Sequence, residues 1–230
     1  DRLMRFLVLA LFFVLGASAP ALSKAPAQTN WVSVIASTPE GGVRMGNPAA
    51  KVKLVEYGSR SCPVCGRFAM ESGDLRTKYV ASGNVSYEFR EYLIHPQDLG
   101  ASVIGKCVSD RNFFVVLDAM YANQAALNHR ADTLRITRID QITAMPPLQA
   151  ARAWSDDVGY TDLVRQAGMP EAKINACFSN PQAIPTLARR LEAGSKLGVQ
   201  GTPTFFINGR KAEGAYLWSQ VEPRLQAAGG

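Results

Sequence analysis

The feature that most constrains this chain is a pair of cysteines three positions apart, Cys62 and Cys65, in the stretch VEYGSRSCPVCGRFAM at residues 55–70. A run rich in β-forming residues, 52–57, precedes the pair. Apolar residues at helical spacing follow it. The pair is therefore placed where a strand passes into a helix. Two cysteines at this spacing can form a redox centre, half of a metal site or a structural crosslink.

A redox function has a definite chemical basis at this position. Ser61 is predicted to cap the helix and Cys62 to begin it, where free backbone N–H groups and the helix dipole favour a thiolate. Such a site lowers a thiol pKa of about 8.5 by one to several units. Pro63 suits the first turn, because its missing N–H is not needed there. Cys65 lies one turn further in and is placed to resolve a mixed disulfide at Cys62, the predicted nucleophile.

Metal binding and nucleic-acid binding are both disfavoured. A zinc site needs four ligands, and the remaining cysteines and the histidines stand isolated in the sequence: Cys107, Cys177, His95 and His129. The formal charge is +6, but the basic residues are scattered. We therefore expect no metal, no nucleic-acid partner, and no cofactor other than the redox-active disulfide of Cys62 and Cys65.

The amino-terminal segment has the pattern of a secretory signal peptide. Arg2 and Arg5 flank Met4, residues 6–15 are wholly apolar, and small residues follow. A membrane-spanning helix takes about 20 apolar residues, so an uncleaved anchor is the less favoured alternative. The pattern predicts export into an oxidising compartment, where disulfides persist.

The rest of the chain indicates one α/β unit with an inserted helical block. Strand signals occur at 52–57, 85–89 and 204–207, and a hairpin signal follows the last of them. From 96 to 180 several segments have helical apolar spacing and no strand stands out, although residues 128–147 show no clear pattern. The predicted division is residues 1–27 as signal peptide and start of the linker, 28–45 as linker or amino-terminal arm, 46–95 and 181–228 as the sheet-bearing core, and 96–180 as a helical insertion.

Two motifs carry a resemblance to a known family. The segment GNPAAKVKLVEYGSRSCPVC, residues 46–65, resembles the first strand and active-site helix of the thioredoxin superfamily, in particular of DsbA-like periplasmic thiol–disulfide oxidoreductases. The segment KLGVQGTPTFFING, residues 196–209, resembles the family's X-Pro motif, with Thr202 and a cis Pro203 expected beside the cysteines. The resemblance covers about residues 46–225. It implies a thioredoxin fold, a central mixed sheet flanked by helices, with an inserted helical domain.

The resemblance also implies roles for single residues. Glu56 matches a buried acid that accepts the proton of Cys65 during resolution, although strand alternation by itself leaves a surface position open. The expected substrate-binding residues are Pro63, Val64, Thr202 and Pro203.

Cys107 and Cys177 lie 70 residues apart in the helical block. Because some DsbA-like proteins carry a disulfide in this domain, the resemblance implies a structural disulfide here. The chain-entropy model gives a loop of this size roughly 4 kcal/mol. Two buried free thiols are the alternative.

One position departs from the family pattern. Many DsbA-like proteins have a histidine between the two cysteines, whereas the inner pair here is Pro63 and Val64. Valine offers neither charge nor hydrogen bond, so we predict a less oxidising centre than in the histidine-bearing relatives. Arg60 is expected either to support the thiolate or to be a solvated loop residue.

The sequence thus predicts a periplasmic thiol–disulfide oxidoreductase that acts on protein substrates, with disulfide donation as the preferred direction. A membrane partner similar to DsbB, implied by the resemblance, would reoxidise it. Two alternatives stay open: a reductase or isomerase with the same site, and an exported metal-delivery or binding protein of the same fold. Met70, which could serve a metal, is expected in the helix core.

Overall fold

A computed structural model describes residues 29–230. The predicted signal peptide lies outside the described residues. Within the described part of the chain, no helix is both long enough and apolar enough to cross a membrane.

Six strands form one mixed sheet in the order β1-β2-β4-β3-β5-β6. They are β1 Ile35–Ser37, β2 Val43–Gly46, β3 Val52–Gly58, β4 Val85–Glu91, β5 Thr204–Ile207 and β6 Arg210–Lys211. Strands β3 and β4 are parallel, and the other neighbouring pairs are antiparallel. Because β3 pairs on both edges, most of its residues are buried, and Lys53 is its exposed residue. The strands predicted at 52–57, 85–89 and 204–207 are all present.

Helices flank the sheet and form a separate block. After β3 come α1 Pro63–Glu71 and a short π-helical segment, Leu75–Val80. The block contains α2 Asp98–Cys107, α3 Asp110–Ala122, α4 Gln124–Thr137, α5 Ile139–Thr143, α6 Pro147–Val158, α7 Tyr160–Gln166 and α8 Glu171–Cys177. The chain then returns through α9 Ala183–Lys196 to β5 and β6, and closes with α10 Trp218–Ala227.

Helix α3 joins the helical block to the sheet. Its residues Phe113 and Leu117 belong to the buried apolar cluster beneath the sheet. Val116 and Met120 belong instead to the cluster that fills the helical block. Residues at i and i+4 share a helix face, so α3 presents one apolar face to each cluster. At roughly 1.5–3 kcal/mol for each large buried side chain, these two faces tie the insertion firmly to the core.

Residues 28–45, expected to be a linker or an amino-terminal arm, contain strands of the sheet from residue 35 onwards. Strands β1 and β2 lie there and extend the sheet beyond β4. They contain three and four residues, too few for a two-residue alternation to stand out in the sequence. Gly41 turns the chain between them with φ of 90°.

Three details near the cysteine pair also differ from prediction. Cys62, rather than Ser61, is the N-cap of α1, and Pro63 is its first residue. Helix α1 ends at Glu71, so the downstream apolar residues belong to the π-helical segment. Met70 is 72 % exposed and is not part of the core.

The structure joins Cys107 and Cys177 in a disulfide with Cα atoms 5.9 Å apart. These residues end α2 and α8, respectively. The crosslink therefore ties the first helix of the block to its last.

Replacing both cysteines by alanine is expected to lower the free energy of unfolding by roughly 4 kcal/mol, the chain-entropy value for a loop of this size. Denaturant unfolding measures the change. Parent and variant are compared in a Cys62→Ala/Cys65→Ala background, so that the redox state of that pair does not contribute. A loss below about 1 kcal/mol would show that the crosslink adds little beyond the packing around it.

Candidate active site

The two cysteines lie at the amino-terminal end of α1, which follows β3 after a short loop, residues 59–62. Both are free thiols. Cys65 is fully buried, and Cys62 is the shallower of the two with 3 % of its surface exposed. Opposite them, the Thr202–Pro203 peptide bond is cis. The carbonyl oxygen of Thr202 lies 3.3 Å from Sγ of Cys62.

The environment shifts the pKa values of the two thiols in opposite directions. A hydrogen bond from Cys65 is the largest of the effects that lower the pKa of Cys62 to about 5, and bonds from Thr202 and from backbone N–H groups at the start of α1 act in the same direction. Burial raises the pKa of Cys65 well above its usual value. At neutral pH Cys62 is therefore a thiolate and Cys65 keeps its proton, which suits Cys62 to nucleophilic attack.

Glu56 lies inside the molecule on β3, with 1 % of its surface exposed. The surface alternative is thereby excluded. Burial raises the pKa of its carboxyl to about 8, although a hydrogen bond from Tyr87 opposes the shift. The hydroxyl of Tyr87 donates to Oε2 at 2.6 Å, while Oε1 is buried and has no partner among residues 29–230. A carboxyl that titrates near neutrality with one oxygen free is suited to exchange a proton with Cys65.

The helical block holds the active-site loop, residues 59–62, by its backbone carbonyls. Side chains of α3 and α4 donate these bonds: Tyr121 to Ser59 at 3.2 Å, Gln124 to Arg60 at 3.1 Å and to Cys62 at 2.9 Å, and Asn128 to Ser61 at 2.9 Å. Gly66 makes room for Gln124, because a Cβ there would lie 2.6 Å from its Oε1. The sequence analysis missed Gln124 and Asn128, since single amides on a helix form no recognisable spacing.

A second network fixes the active-site loop from another side. The fully buried carboxylate of Asp98 accepts bonds from the Ser59 hydroxyl at 2.8 Å and the Ser61 backbone N–H at 3.1 Å. It also accepts the backbone N–H of His95. Nδ1 of His95 lies 2.8 Å from the Ser61 hydroxyl. His95 lies in the loop between β4 and α2, and its ring is bound to the residue before the nucleophile.

Arg60 matches neither of the two expectations for it. Only 1 % of its surface is exposed. Its guanidinium forms an ion pair with Glu91 at 2.7 Å and lies over the ring of Phe113, 5.0 Å from the centroid. Ser102 donates to the other carboxylate oxygen of Glu91. Arg60 is thus part of a buried ion pair whose charge Glu91 compensates.

The four residues predicted to bind substrate differ in exposure and in their position relative to Cys62. Pro63 and Val64 are exposed on the first turn of α1. Thr202 lies against Cys62, and Pro203 is buried. A cavity of about 290 Å³ adjoins the cis bond, lined by residues 200–205 and 211–216. The cavity is thus formed by the chain entering β5 and by the segment that leaves β6 toward α10.

Replacing Thr202 by valine is expected to raise the pKa of Cys62. The Thr202 hydroxyl is buried with no other partner in the described part of the chain, so it can turn toward the Cys62 thiolate and donate a hydrogen bond to it, which lowers that pKa. Losing one hydrogen bond to a thiolate should raise the pKa by roughly one unit. The ultraviolet absorbance of the thiolate, followed against pH, measures the change. Thr204→Val is the control, because its hydroxyl is already bonded to the Gly201 carbonyl. An equal pKa in both variants would contradict the assignment.

This chain is similar to known sequences over most of its described length. A family model described as Thioredoxin matches residues 38–227. A provisionally named protein-disulfide oxidoreductase of Rickettsia bellii is 27 % identical over 177 residues, which is 76 % of this chain and 60 % of that protein. Its counterpart in Rickettsia prowazekii is 25 % identical over 175 residues, 74 % of this chain and 55 % of that protein. The chain thus spans little more than half the length of these curated relatives.

Solved structures agree on the fold. A protein-disulfide isomerase from Novosphingobium aromaticivorans superposes with a TM-score of 0.71 at 30 % identity, covering 80 % of this chain and 95 % of that chain. Wolbachia pipientis alpha-DsbA1 gives a TM-score of 0.64, covering 80 % and 89 % of the two chains, and its 18 % identity shows the fold alone. The predicted fold class, a central mixed sheet flanked by helices with a helical insertion, is confirmed.

Proposed function

This chain belongs to the thioredoxin family, as a DsbA-like protein, and we propose that it is an exported thiol–disulfide oxidoreductase that donates the Cys62–Cys65 disulfide to protein substrates. The observation that carries the proposal is the separation of the two thiols. The environment lowers the pKa of Cys62 to about 5, and burial keeps Cys65 protonated. This is the division of roles that an attacking thiol and a resolving thiol require.

The donation consists of two exchange steps. A substrate thiolate attacks Sγ of Cys62 in the oxidised pair, the bond to Cys65 breaks, and a mixed disulfide forms. Cys65 leaves as a thiolate and takes a proton, which Glu56 can supply because its pKa is about 8. A second substrate thiolate then attacks the substrate sulfur and releases Cys62 as a thiolate. Two electrons pass from the substrate to the pair, which ends reduced.

The low pKa of Cys62 favours the oxidising direction. A stabilised thiolate stabilises the reduced protein and so makes its disulfide a stronger oxidant. Lowering the thiol pKa from 9.0 to about 5 stabilises the reduced form at pH 7 by about 2.7 kcal/mol. For a two-electron couple this corresponds to about 60 mV.

Each donation leaves the pair reduced, so the cycle requires an oxidant. We assign that role to a membrane partner similar to DsbB, which would meet Cys62 beside the exposed Pro63 and Val64. The signal-peptide pattern supports placing the reaction in the periplasm. The Cys107–Cys177 disulfide supports it too, because such crosslinks persist in oxidising compartments.

Disulfide isomerisation is the second candidate function. The 30 % identical structure from Novosphingobium aromaticivorans is named a protein-disulfide isomerase. In that direction the reduced Cys62 thiolate would attack a substrate disulfide. The metal-delivery alternative lacks a comparable observation: residues 29–230 bring together no group of three or more His, Cys, Asp or Glu side chains able to hold a metal ion.

Two assays with the same substrate protein separate these functions. Oxidised protein, mixed with reduced substrate without any other oxidant, is expected to transfer its disulfide stoichiometrically. Reduced protein, mixed with the same substrate protein carrying scrambled disulfides, is expected to restore the activity of that substrate protein only slowly. Rapid recovery in the second assay with no transfer in the first would assign the protein as an isomerase. A Cys62→Ser variant supplies the background rate of both.

A further inference from the structure

A cavity of about 340 Å³ lies away from the active-site loop, among three separate elements. These elements are the turn between β1 and β2, the carboxyl-terminal end of α2 and the beginning of α9. Its charged lining residues are Lys106 and Arg190, so we call it the Lys106–Arg190 cavity. No aspartate or glutamate of the described chain is among its lining residues.

The two cations have no carboxylate partner. Within residues 29–230, neither Lys106 nor Arg190 forms an ion pair. The contacts of the Lys106 ammonium are the Gly42 carbonyl at 3.4 Å and the ring of Phe113, whose centroid lies 5.2 Å away. A half-buried cation normally has an anionic partner that neutralises it. Lys106 and Arg190 have none among the described residues, so the cavity carries an uncompensated positive charge.

The two acids whose charges act most on these cations, Glu91 and Asp110, are already engaged. Glu91 binds Arg60 and accepts from Ser102. Both carboxylate oxygens of Asp110 accept from the backbone and hydroxyl of Ser37. These carboxylates therefore neutralise the positive charge of Lys106 and Arg190 only in part.

The ionisation of the cations agrees with this arrangement. Burial lowers the pKa of Lys106 to about 8, and neighbouring Arg190 and Arg60 add to the shift while Glu91 and Asp110 oppose it. Burial also lowers the pKa of Arg190. Both groups remain cationic at neutral pH.

We propose that the Lys106–Arg190 cavity binds a small molecule bearing an oxyanion, either a carboxylate or a phosphate group. The Arg190 guanidinium supplies a planar fork of donors that matches such a group, and Lys106 supplies a second charge. The amide side chains of Asn180 and Gln182 line the same cavity. Helix α9 begins beside it with no acidic residue in its first turn, so the helix dipole also favours an anion.

The size of the cavity indicates a ligand larger than an isolated ion. About 340 Å³ falls within the range of pockets that enclose small organic molecules. Because the lining residues come from the sheet edge, the helical block and α9, a bound anion would connect all three. Binding should therefore raise the temperature of thermal unfolding as well as give a saturable heat of binding.

The test uses the folded, oxidised protein at constant ionic strength, titrated calorimetrically with inorganic phosphate and, separately, with citrate. Saturable binding of at least one is expected, with the temperature of unfolding rising in parallel. Preference for phosphate would indicate a phosphate ester as the ligand class, and preference for citrate an organic acid. Heats and unfolding temperatures for both anions identical to those in chloride would overturn the proposal.

Variants assign the binding to the cavity. Lys106→Gln and Arg190→Gln are each expected to weaken binding about 10-fold or more, as the loss of one charged hydrogen bond does. Arg189→Gln is the matched control, because it removes the same charge from the neighbouring position of α9 but is exposed and lies outside the lining. Arg190→Lys keeps the charge and loses the fork, which tests the site if the glutamine variant does not fold. Equal weakening by Arg189→Gln, or none by Arg190→Gln and Arg190→Lys, would contradict the assignment.

Discussion

A Cys62→Ser variant is expected to lose thiol–disulfide exchange almost completely, by a factor on the order of 10⁴ or more. A hydroxyl cannot form the mixed disulfide on which both steps depend. Cys65→Ser should behave differently, because its Cys62 still attacks substrate disulfides and no Cys65 thiol is left to release the bound substrate. It is expected to accumulate mixed disulfides with substrate, visible as crosslinked species on a non-reducing gel and absent after reduction.

The control is Cys107→Ala/Cys177→Ala, which removes the other two cysteines of the chain. It should keep the exchange rate of the parent, since that disulfide lies in the helical block. Crosslinks that accumulate in Cys62→Ser rather than in Cys65→Ser would reverse the roles assigned here.

A Glu56→Gln variant is expected to stabilise the reduced protein in a strongly pH-dependent way. The folded carboxyl has its pKa raised from 4.5 to about 8, chiefly by burial. A raised pKa stabilises the folded state below the unfolded value, and that stability is lost as the pH rises through the folded value. The parent should therefore lose about 1.4 kcal/mol for each pH unit between these two limits.

Glutamine carries no charge and escapes this loss. Its amide N–H groups would be buried at the position of Oε1, which has no partner among residues 29–230, and this costs about 1–3 kcal/mol. The net gain at pH 8 is therefore about 1–4 kcal/mol, shrinking to nothing or reversing near pH 4.5. Denaturant unfolding of the reduced protein at several pH values measures it. Tyr87→Phe keeps the carboxyl and should keep the pH slope, which makes it the control.

The same substitution should slow exchange. Without a carboxyl, water must carry the proton to and from Cys65. The exchange step in which Cys65 takes part should then slow by about 10²-fold. A pH-independent stability difference together with an unchanged rate would show that Glu56 is only a packing residue.

Features set by neighbouring residues could be predicted from the sequence, whereas contacts between distant parts of the chain could not. Residues 62–65 and Thr202–Pro203 are compact motifs, and their resemblance to the family's motifs indicated the fold and implied a buried Glu56, which strand alternation by itself did not decide. The helical character of much of 96–180 was also evident, because apolar spacing is a local property, whereas residues 128–147, which contain most of α4 and all of α5, showed no clear pattern.

Long-range contacts were not predictable in this way. Gln124, Asn128 and Asp98 secure the active-site loop from distant parts of the chain, and nothing in their local sequence marks them. The buried position of Arg60 depends on Glu91, 31 residues away. Strands β1 and β2 were missed because sheet pairing, rather than their own few residues, defines them.

The most direct test of the account is the reduction potential of the Cys62–Cys65 pair, equilibrated against glutathione with the Cys107–Cys177 disulfide intact. The Cys62 pKa of about 5 lies between the nucleophile values of about 7 in thioredoxin and about 3.5 in DsbA. The account therefore predicts a potential between about −270 mV and about −120 mV, the values of those two proteins. A potential at or below about −270 mV would contradict it, because the pair would then be a reductant rather than a donor of disulfides.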